Sequence, residues 1–196
     1  MNVLIIPEDF TKDQYILKPI VTAMMAELGK PQAKVRVCTD PRLGGISQAL
    51  KWERIQDIIE NRPMVDLFLL CVDRDGIDTR KRALGSLEEK AVPILKSNQG
   101  FFGENAWQEV EVWVLAGLDL PADWSWKDIR VEKNPKEMYF RTYAKQHGLE
   151  SLPDEGRKQL AQEAARNYAK RIRSRCPEDI AALEERIGQW LSVNNP

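Results

Sequence analysis

An apolar run that ends in two aspartates constrains the fold of this chain more than any other stretch. The run covers residues 65–72 (Val-Asp-Leu-Phe-Leu-Leu-Cys-Val) and is followed by Asp73-Arg74-Asp75-Gly76. A run of this length, bounded by a turn signal, is typical of a strand that is buried on both faces of a parallel sheet. Because ligands bind beyond the carboxyl ends of such strands, the two aspartates indicate a functional site. Taken alone, the pair is equally compatible with a capped turn.

The segments before and after this run alternate between strand and helix patterns. We predict strands at 3–6, 34–38 and 65–72, and helices at 11–28, 47–60 and 80–95. Thr11 is the expected N-cap of the first helix, and Gly29 its stop. This order predicts the α/β class, with a parallel, Rossmann-like sheet flanked by helices.

The second half of the chain gives weaker strand signals and stronger helix signals. Residues 97–105 are predicted as a polar loop, in which Phe101-Phe102 forms a short strand or a packing anchor. Residues 106–117 fit a strand or a helix, and the helix is favoured. Helices are also expected from Pro135 onward, at 154–174 and at 178–191. We therefore predict an α/β core at 1–120 and a mostly helical C-terminal extension at 121–196, packed together as one unit.

The charge balance and the few cysteine and histidine residues argue against several classes of function. The chain has 29 Lys and Arg against 30 Asp and Glu, so any contact with nucleic acid must come from local patches. Its three cysteines are odd in number and widely spaced, as expected of reduced thiols in a cytoplasmic protein. The only histidine, His147, precedes a helix-ending glycine and is expected to be solvated, which argues against histidine-dependent nucleases and zinc sites. We expect neither a signal peptide nor a membrane span.

Three acids are predicted to meet at one edge of the sheet. Glu8 follows the first strand, and Asp73 and Asp75 follow the third. Carboxylates placed together repel one another, and a bound divalent cation removes that conflict. Oxygen ligands without histidine or thiolate suit Mg²⁺ or Mn²⁺, bound as one or two ions. Such a metal indicates phosphate chemistry.

These residues resemble the Toprim superfamily. Glu8, with Thr11 and Asp13 at the start of the following helix, and Val72-Asp73-Arg74-Asp75-Gly76 are similar to its shared glutamate and Asp-x-Asp, which bind Mg²⁺. The superfamily includes topoisomerases, primases, small ribonucleases and the overcoming-lysogenization-defect nucleases. Three later motifs are similar to a family of small bacterial Toprim-like proteins that often occur beside ATPase genes in anti-phage loci: Glu111-Val112-Trp113-Val114-Leu115-Ala116, Asn134-Pro135-Lys136-Glu137 and Arg175-Cys176-Pro177.

The resemblance implies roles for individual residues. The implied metal ligands are Glu8, Asp73, Asp75 and Glu111, with Glu109 competing for the last position. Lys136 is implied near the scissile phosphate, with an exposed lysine at a helix start as the alternative. The cations expected to guide a nucleic-acid strand are Arg74, Arg80, Lys81 and Arg82.

The chain also departs from the family pattern near its first acid. Asp9 replaces the usual glycine after the first glutamate, and the acid that often follows is displaced to Asp13 or lost, because Lys12 takes the nearer position. Asp9 is either a further ligand or a solvated residue.

The leading functional prediction is a Mg²⁺- or Mn²⁺-dependent nuclease that acts on DNA or RNA as a phage-defence effector with an AAA- or ABC-type ATPase partner, with homo-oligomer formation left open. The alternative is a catalytically silent Toprim-fold sensor or binding subunit. A third hypothesis is a response-regulator receiver or a haloacid-dehalogenase-type phosphatase. Dehalogenase-type enzymes, however, carry their Asp-x-Asp after the first strand, whereas here it follows the third. Trp124 and Trp126 are read as the cover of a core edge in preference to base-stacking residues.

Overall fold

Four parallel strands form the sheet of the computed structural model, which describes residues 1–194. Their spatial order is β2-β1-β3-β4. The strands are β1 (Asn2–Pro7), β2 (Lys34–Val37), β3 (Leu67–Asp73) and β4 (Gly100–Ala106). The predicted α/β class with a parallel sheet is confirmed.

Helices follow each strand and make up the C-terminal region. The α-helices of the described residues are α1 (Phe10–Glu27), α2 (Ile46–Ala49), α3 (Trp52–Glu60), α4 (Arg80–Ala91), α5 (Glu111–Gly117), α6 (Trp126–Val131), α7 (Arg141–Gln146), α8 (Arg157–Ala165), α9 (Arg173–Arg175) and α10 (Ala182–Asn194). A 3₁₀ turn spans Val92–Ile94, and π-helical turns span Lys136–Phe140, Tyr168–Ile172 and Pro177–Ala181. None of these helices is long and apolar enough to cross a membrane.

The central strands are buried on both faces because their apolar residues are continuous. In β3, Leu67, Leu69 and Cys71 belong to a core that also includes α1, α5, α8 and α10. Phe68, Leu70 and Val72 belong to a second core with α3 and α4. Successive side chains of a strand point to opposite faces, so one apolar run supplies both cores. The first core is continuous from β1 into the C-terminal helices. Residues 195 and 196 of the predicted extension lie outside the described residues.

The structure corrects three local predictions. Residues 100–106 form β4, a full strand paired with β3, where a loop with a short strand was expected. The helix favoured for residues 106–117 begins only at Glu111. The N-cap of α1 is Asp9, whose Oδ1 accepts a hydrogen bond from the backbone nitrogen of Thr11 at 2.7 Å. Pairing along an existing strand stabilises β4 despite its glycines and polar residues, which have weak strand preference.

One glycine sets the distance between the core and the C-terminal helices. Gly117 ends α5 against α8, and a Cβ atom at this position would lie 2.6 Å from the carbonyl oxygen of Ala164. No side chain fits at that separation, so α5 and α8 approach closely only with glycine here. This contact places Arg157, the first residue of α8, near Glu111, the first residue of α5.

Candidate functional site

The carboxyl ends of β1 and β3 define a topological switch point. From β1 the chain crosses to β2 on one side of the sheet, then returns past β1 to β3 and continues to β4. Ligands of open α/β sheets bind in the crevice at such a point. Glu8 follows β1 and Asp73 ends β3, and the backbone nitrogen of Asp73 donates to Oε2 of Glu8 at 3.2 Å. The structure therefore brings Glu8 and the Asp-x-Asp segment together.

The loop after β4 is attached to the Asp-x-Asp segment by Gln108. Its carbonyl oxygen accepts from the backbone nitrogens of Arg74 (2.8 Å) and Asp75 (3.1 Å), and its side-chain oxygen accepts from the nitrogen of Gly76 at 2.9 Å. Two residues further on, the backbone nitrogen of Val110 donates to Oδ1 of Asp73 at 2.9 Å. These bonds hold the start of α5, and with it Glu111, beside Asp73.

Three acids at this edge have raised pKa values because of burial and the charges of neighbouring acids. Burial, followed by the charges of Glu111, Asp13 and Glu8, raises the pKa of Asp73 well above its usual range. Burial also raises the pKa of Asp13 to about 7, and Glu111 and Glu8 contribute. Glu8 has a raised pKa, chiefly because it is partly buried, with a contribution from Asp75. A site in which several acids oppose one another's ionisation is typical of cation binding and of acid-base catalysis.

Three acids at or near this edge already have basic partners. The Glu111 side chain is buried and accepts from Nε (3.2 Å) and Nη2 (2.9 Å) of the fully buried Arg157. Oε1 of Glu109 lies 3.0 Å from Nζ of Lys136. Oδ2 of Asp75 lies 3.2 Å from Nη2 of Arg80. Glu111, Glu109 and Asp75 are thus ion-paired, whereas Glu8, Asp13 and Asp73 form no ion pair among the described residues.

The donor chemistry of the edge fits a hard divalent cation, because its polar side chains are carboxylates in a partly desolvated position. Its arrangement is not that of a preassembled centre, since no three His, Cys, Asp or Glu side chains of residues 1–194 converge as a metal-binding group. Binding a cation would require carboxylates to exchange hydrogen bonds such as that between Asp73 and Val110. Glu8, Asp73 and Asp13 could do so at the smallest electrostatic cost, since none of them has an ion pair among these residues.

Glu111 and its competitor Glu109 both have a basic partner, but they differ in which acids they affect. The charge of Glu111 contributes to the raised pKa of Asp73 and of Asp13, whereas Glu109 is held by both the backbone and the side chain of Lys136. Lys136 therefore sits against an acid of the edge. Its predicted contact with a phosphate remains a prediction. Asp9 is exposed and caps α1, so one of its oxygens is committed to the backbone.

Three of the four cations predicted to guide a nucleic-acid strand are held by acids or rings. Arg74 pairs with Asp78 and lies over the ring of Trp107 at 3.9 Å. Arg80 is buried beside Asp75, and Lys81 lies 3.4 Å from Glu104. Arg82 is exposed on α4. Their role in binding a nucleic-acid strand stays a prediction.

Reasoning from sequence missed Arg157 altogether. It lies in a basic helical segment of ordinary appearance, and nothing local to it signals that its guanidinium is buried against an acid 46 residues away. A burial pattern could have suggested it, because Leu160, Ala161 and Ala164 place one face of α8 in the core.

Comparison of the chain with protein-family models, with curated proteins and with solved structures found no match.

The raised pKa of Asp13 predicts an unusual pH dependence of stability for the metal-free protein. Its folded-state pKa is about 7, against an ordinary value of 3.8. The folded state then binds more protons than the unfolded state between these values, so stability is fully present below the ordinary value and is lost as pH rises through about 7. We expect the free energy of unfolding to fall by about 2–3 kcal/mol between about pH 5 and about pH 8 through this group alone.

Urea unfolding in the presence of a chelator measures this dependence. Asp13→Asn should flatten the profile, whereas Asp123→Asn, an exposed aspartate far from the edge in sequence, should leave it unchanged. Identical slopes for the wild type and Asp13→Asn would contradict the prediction.

Proposed function

We propose that this protein is a Toprim-like nuclease that depends on Mg²⁺ or Mn²⁺ and hydrolyses phosphodiester bonds in DNA or RNA. The observation that supports it best is the group of mutually opposed carboxylates at the switch point, formed by Glu8, Asp13, Asp73 and Glu111. Without a bound cation, bringing these acids together costs free energy. Acids with perturbed pKa values cluster at functional sites, so the arrangement supports a functional role for this edge. The proposal includes action in the cytoplasm, with an ATPase partner, as a phage-defence effector.

The residues of the site would have different roles in cation binding and in positioning. Glu8, Asp73 and Asp13 would hold the cation, with Asp75 and Glu111 joining if their arginine partners shift. When bound, Mg²⁺ or Mn²⁺ supplies charge stabilisation at the phosphate and a lowered pKa for water. Arg157 fixes the position of Glu111, and Lys136 fixes that of Glu109.

Metal titration and cleavage assays test the proposal. We expect wild-type protein to bind Mn²⁺ in calorimetry and to cleave plasmid, single-stranded DNA or tRNA only when Mg²⁺ or Mn²⁺ is added. Glu8→Gln should lose both properties because it removes one anionic ligand next to Asp73. Glu89→Gln is the matched control, since Glu89 is exposed on α4. Protein that binds no Mn²⁺ and stays inert on all three substrates, alone and with its ATPase partner, would refute the proposal.

A second candidate function is a silent Toprim-fold subunit that binds a partner without catalysis. The pairing of Glu111 with Arg157 and of Asp75 with Arg80 favours it, because these ion pairs give the edge a stable state without metal. Under this alternative, alanine at both Asp73 and Asp75 leaves biological activity intact. Loss of activity in that double variant, with the fold retained, would favour the nuclease.

A further inference from the structure

A groove between α1 and α8 carries positive charge without acidic residues. Its volume is about 730 Å³. No Asp or Glu is among the described residues that line it. The lining side chains that matter here are Gln14, Tyr15, Lys18, Lys158, Gln162 and Arg166.

The three cations of this α1–α8 groove are exposed, and its other polar groups suit a phosphate backbone. Lys18 lies on α1, Lys158 lies near the start of α8, and Arg166 is the C-cap of α8. Gln14 and Gln162 add amide donors, and the half-buried ring of Tyr15 offers an aromatic surface. A positively charged groove with an aromatic side chain is the usual combination for single-stranded nucleic acid.

The two helices that form the groove begin near the acidic edge. Asp13 precedes Gln14 on α1, and Arg157, which binds Glu111, precedes Lys158 on α8. Both helices therefore run from the acids into the groove. At about 1.5 Å per residue, Lys18 lies roughly 7 Å beyond Asp13 along its helix, and Arg166 roughly 13 Å beyond Arg157. These lengths correspond to roughly two to four stacked nucleotides of one strand, which rise about 3.4 Å each along the axis of a base-stacked helix.

The cations after β3 and at the start of α4 are less available to a nucleic-acid strand than those of this groove, since Arg74, Arg80 and Lys81 are held by Asp78, Asp75 and Glu104. We propose that the α1–α8 groove binds the phosphate backbone of a single nucleic-acid strand and leads it to the acidic edge. The purpose of this binding rests on the proposed function, whereas the binding of the strand itself requires no metal.

Fluorescence anisotropy with labelled oligothymidylate, in buffer with a chelator, tests this binding. The double variant Lys18→Glu/Lys158→Glu should weaken binding by about tenfold or more and reduce the slope of log affinity against log salt by about 1.4, as expected for two lost phosphate contacts on a single strand. The matched control is Lys34→Glu/Arg36→Glu, which makes the same change of charge in another acid-free pocket. That pocket lies on β2 and the starts of the strands, away from the acids, so the control should bind as wild type does.

The outcomes of this experiment test binding in the groove independently of the proposed nuclease activity. Loss of binding in the groove variant but not in the control supports the inference even if no substrate is cleaved. Equal weakening in both variants would show a general charge effect and overturn it. Wild-type affinity in the groove variant would also overturn it, while metal-dependent cleavage sensitive to Glu8→Gln would leave the proposed function standing. Preference for duplex over single-stranded DNA would overturn the assignment to a single strand.

Discussion

Asp73→Asn should abolish metal-dependent cleavage and at the same time stabilise the metal-free protein. Asparagine keeps an oxygen that can accept from the backbone nitrogen of Val110, so the local hydrogen bond is retained. It removes the charge that Glu111, Asp13 and Glu8 oppose. The expected fall in cleavage rate is at least about a hundredfold, since even changes that act on a metal ligand indirectly cost about 10- to 100-fold.

Thermal unfolding with and without Mn²⁺ separates these two effects. With a chelator present, we expect Asp73→Asn to unfold at a higher temperature than wild type, because the amide needs neither an opposed charge nor the uptake of a proton in the folded state. With Mn²⁺ present, the wild type should gain stability through binding and the variant should gain little. Asp123→Asn makes the same substitution at an exposed position outside the site and should change neither curve. A variant that cleaves within a few-fold of wild type would show that Asp73 is not a metal ligand.

Arg157→Met should cause the largest loss of stability among single substitutions at the site. Arg157 is fully buried and holds Glu111 through two nitrogens, so its removal leaves a buried carboxylate among Asp13 and Asp73 without a counter-charge. Breaking a buried ion pair in this way costs about 3–5 kcal/mol. For a chain of this size the melting temperature should fall by about 10 °C.

The double variant Glu111→Gln/Arg157→Met tests the cause of that loss. Removing the stranded charge should recover more than half of the lost free energy of unfolding. Arg82→Met, at an exposed position of α4, controls for loss of an arginine and should change stability by less than about 0.5 kcal/mol. If the double variant is no more stable than Arg157→Met, the loss comes from the other contacts of Arg157, such as its ion pair with Glu155 at 2.8 Å, and not from the charge of Glu111.

Local patterns predicted the strands at both sides of the switch point because a buried strand leaves a continuous apolar run in the sequence. The run at residues 65–72 became β3, and the acids that follow β1 and β3 lie where parallel pairing places them. The α/β class needed only this information. The pattern failed at β4, whose backbone pairing with β3 stabilises a strand that its own residues do not favour.

The sequence by itself thus determined the class of fold and the meeting of Glu8 with Asp73, since both follow from the period and direction of successive strands. Only the tertiary structure decided the charge state of the site. The burial of Asp13, the pairing of Glu111 with Arg157 and the acid-free groove between α1 and α8 all depend on contacts between residues far apart in the chain. Such contacts depend on which helices pack together and how closely, as at Gly117 and Ala164, and no local pattern of residues records that distance.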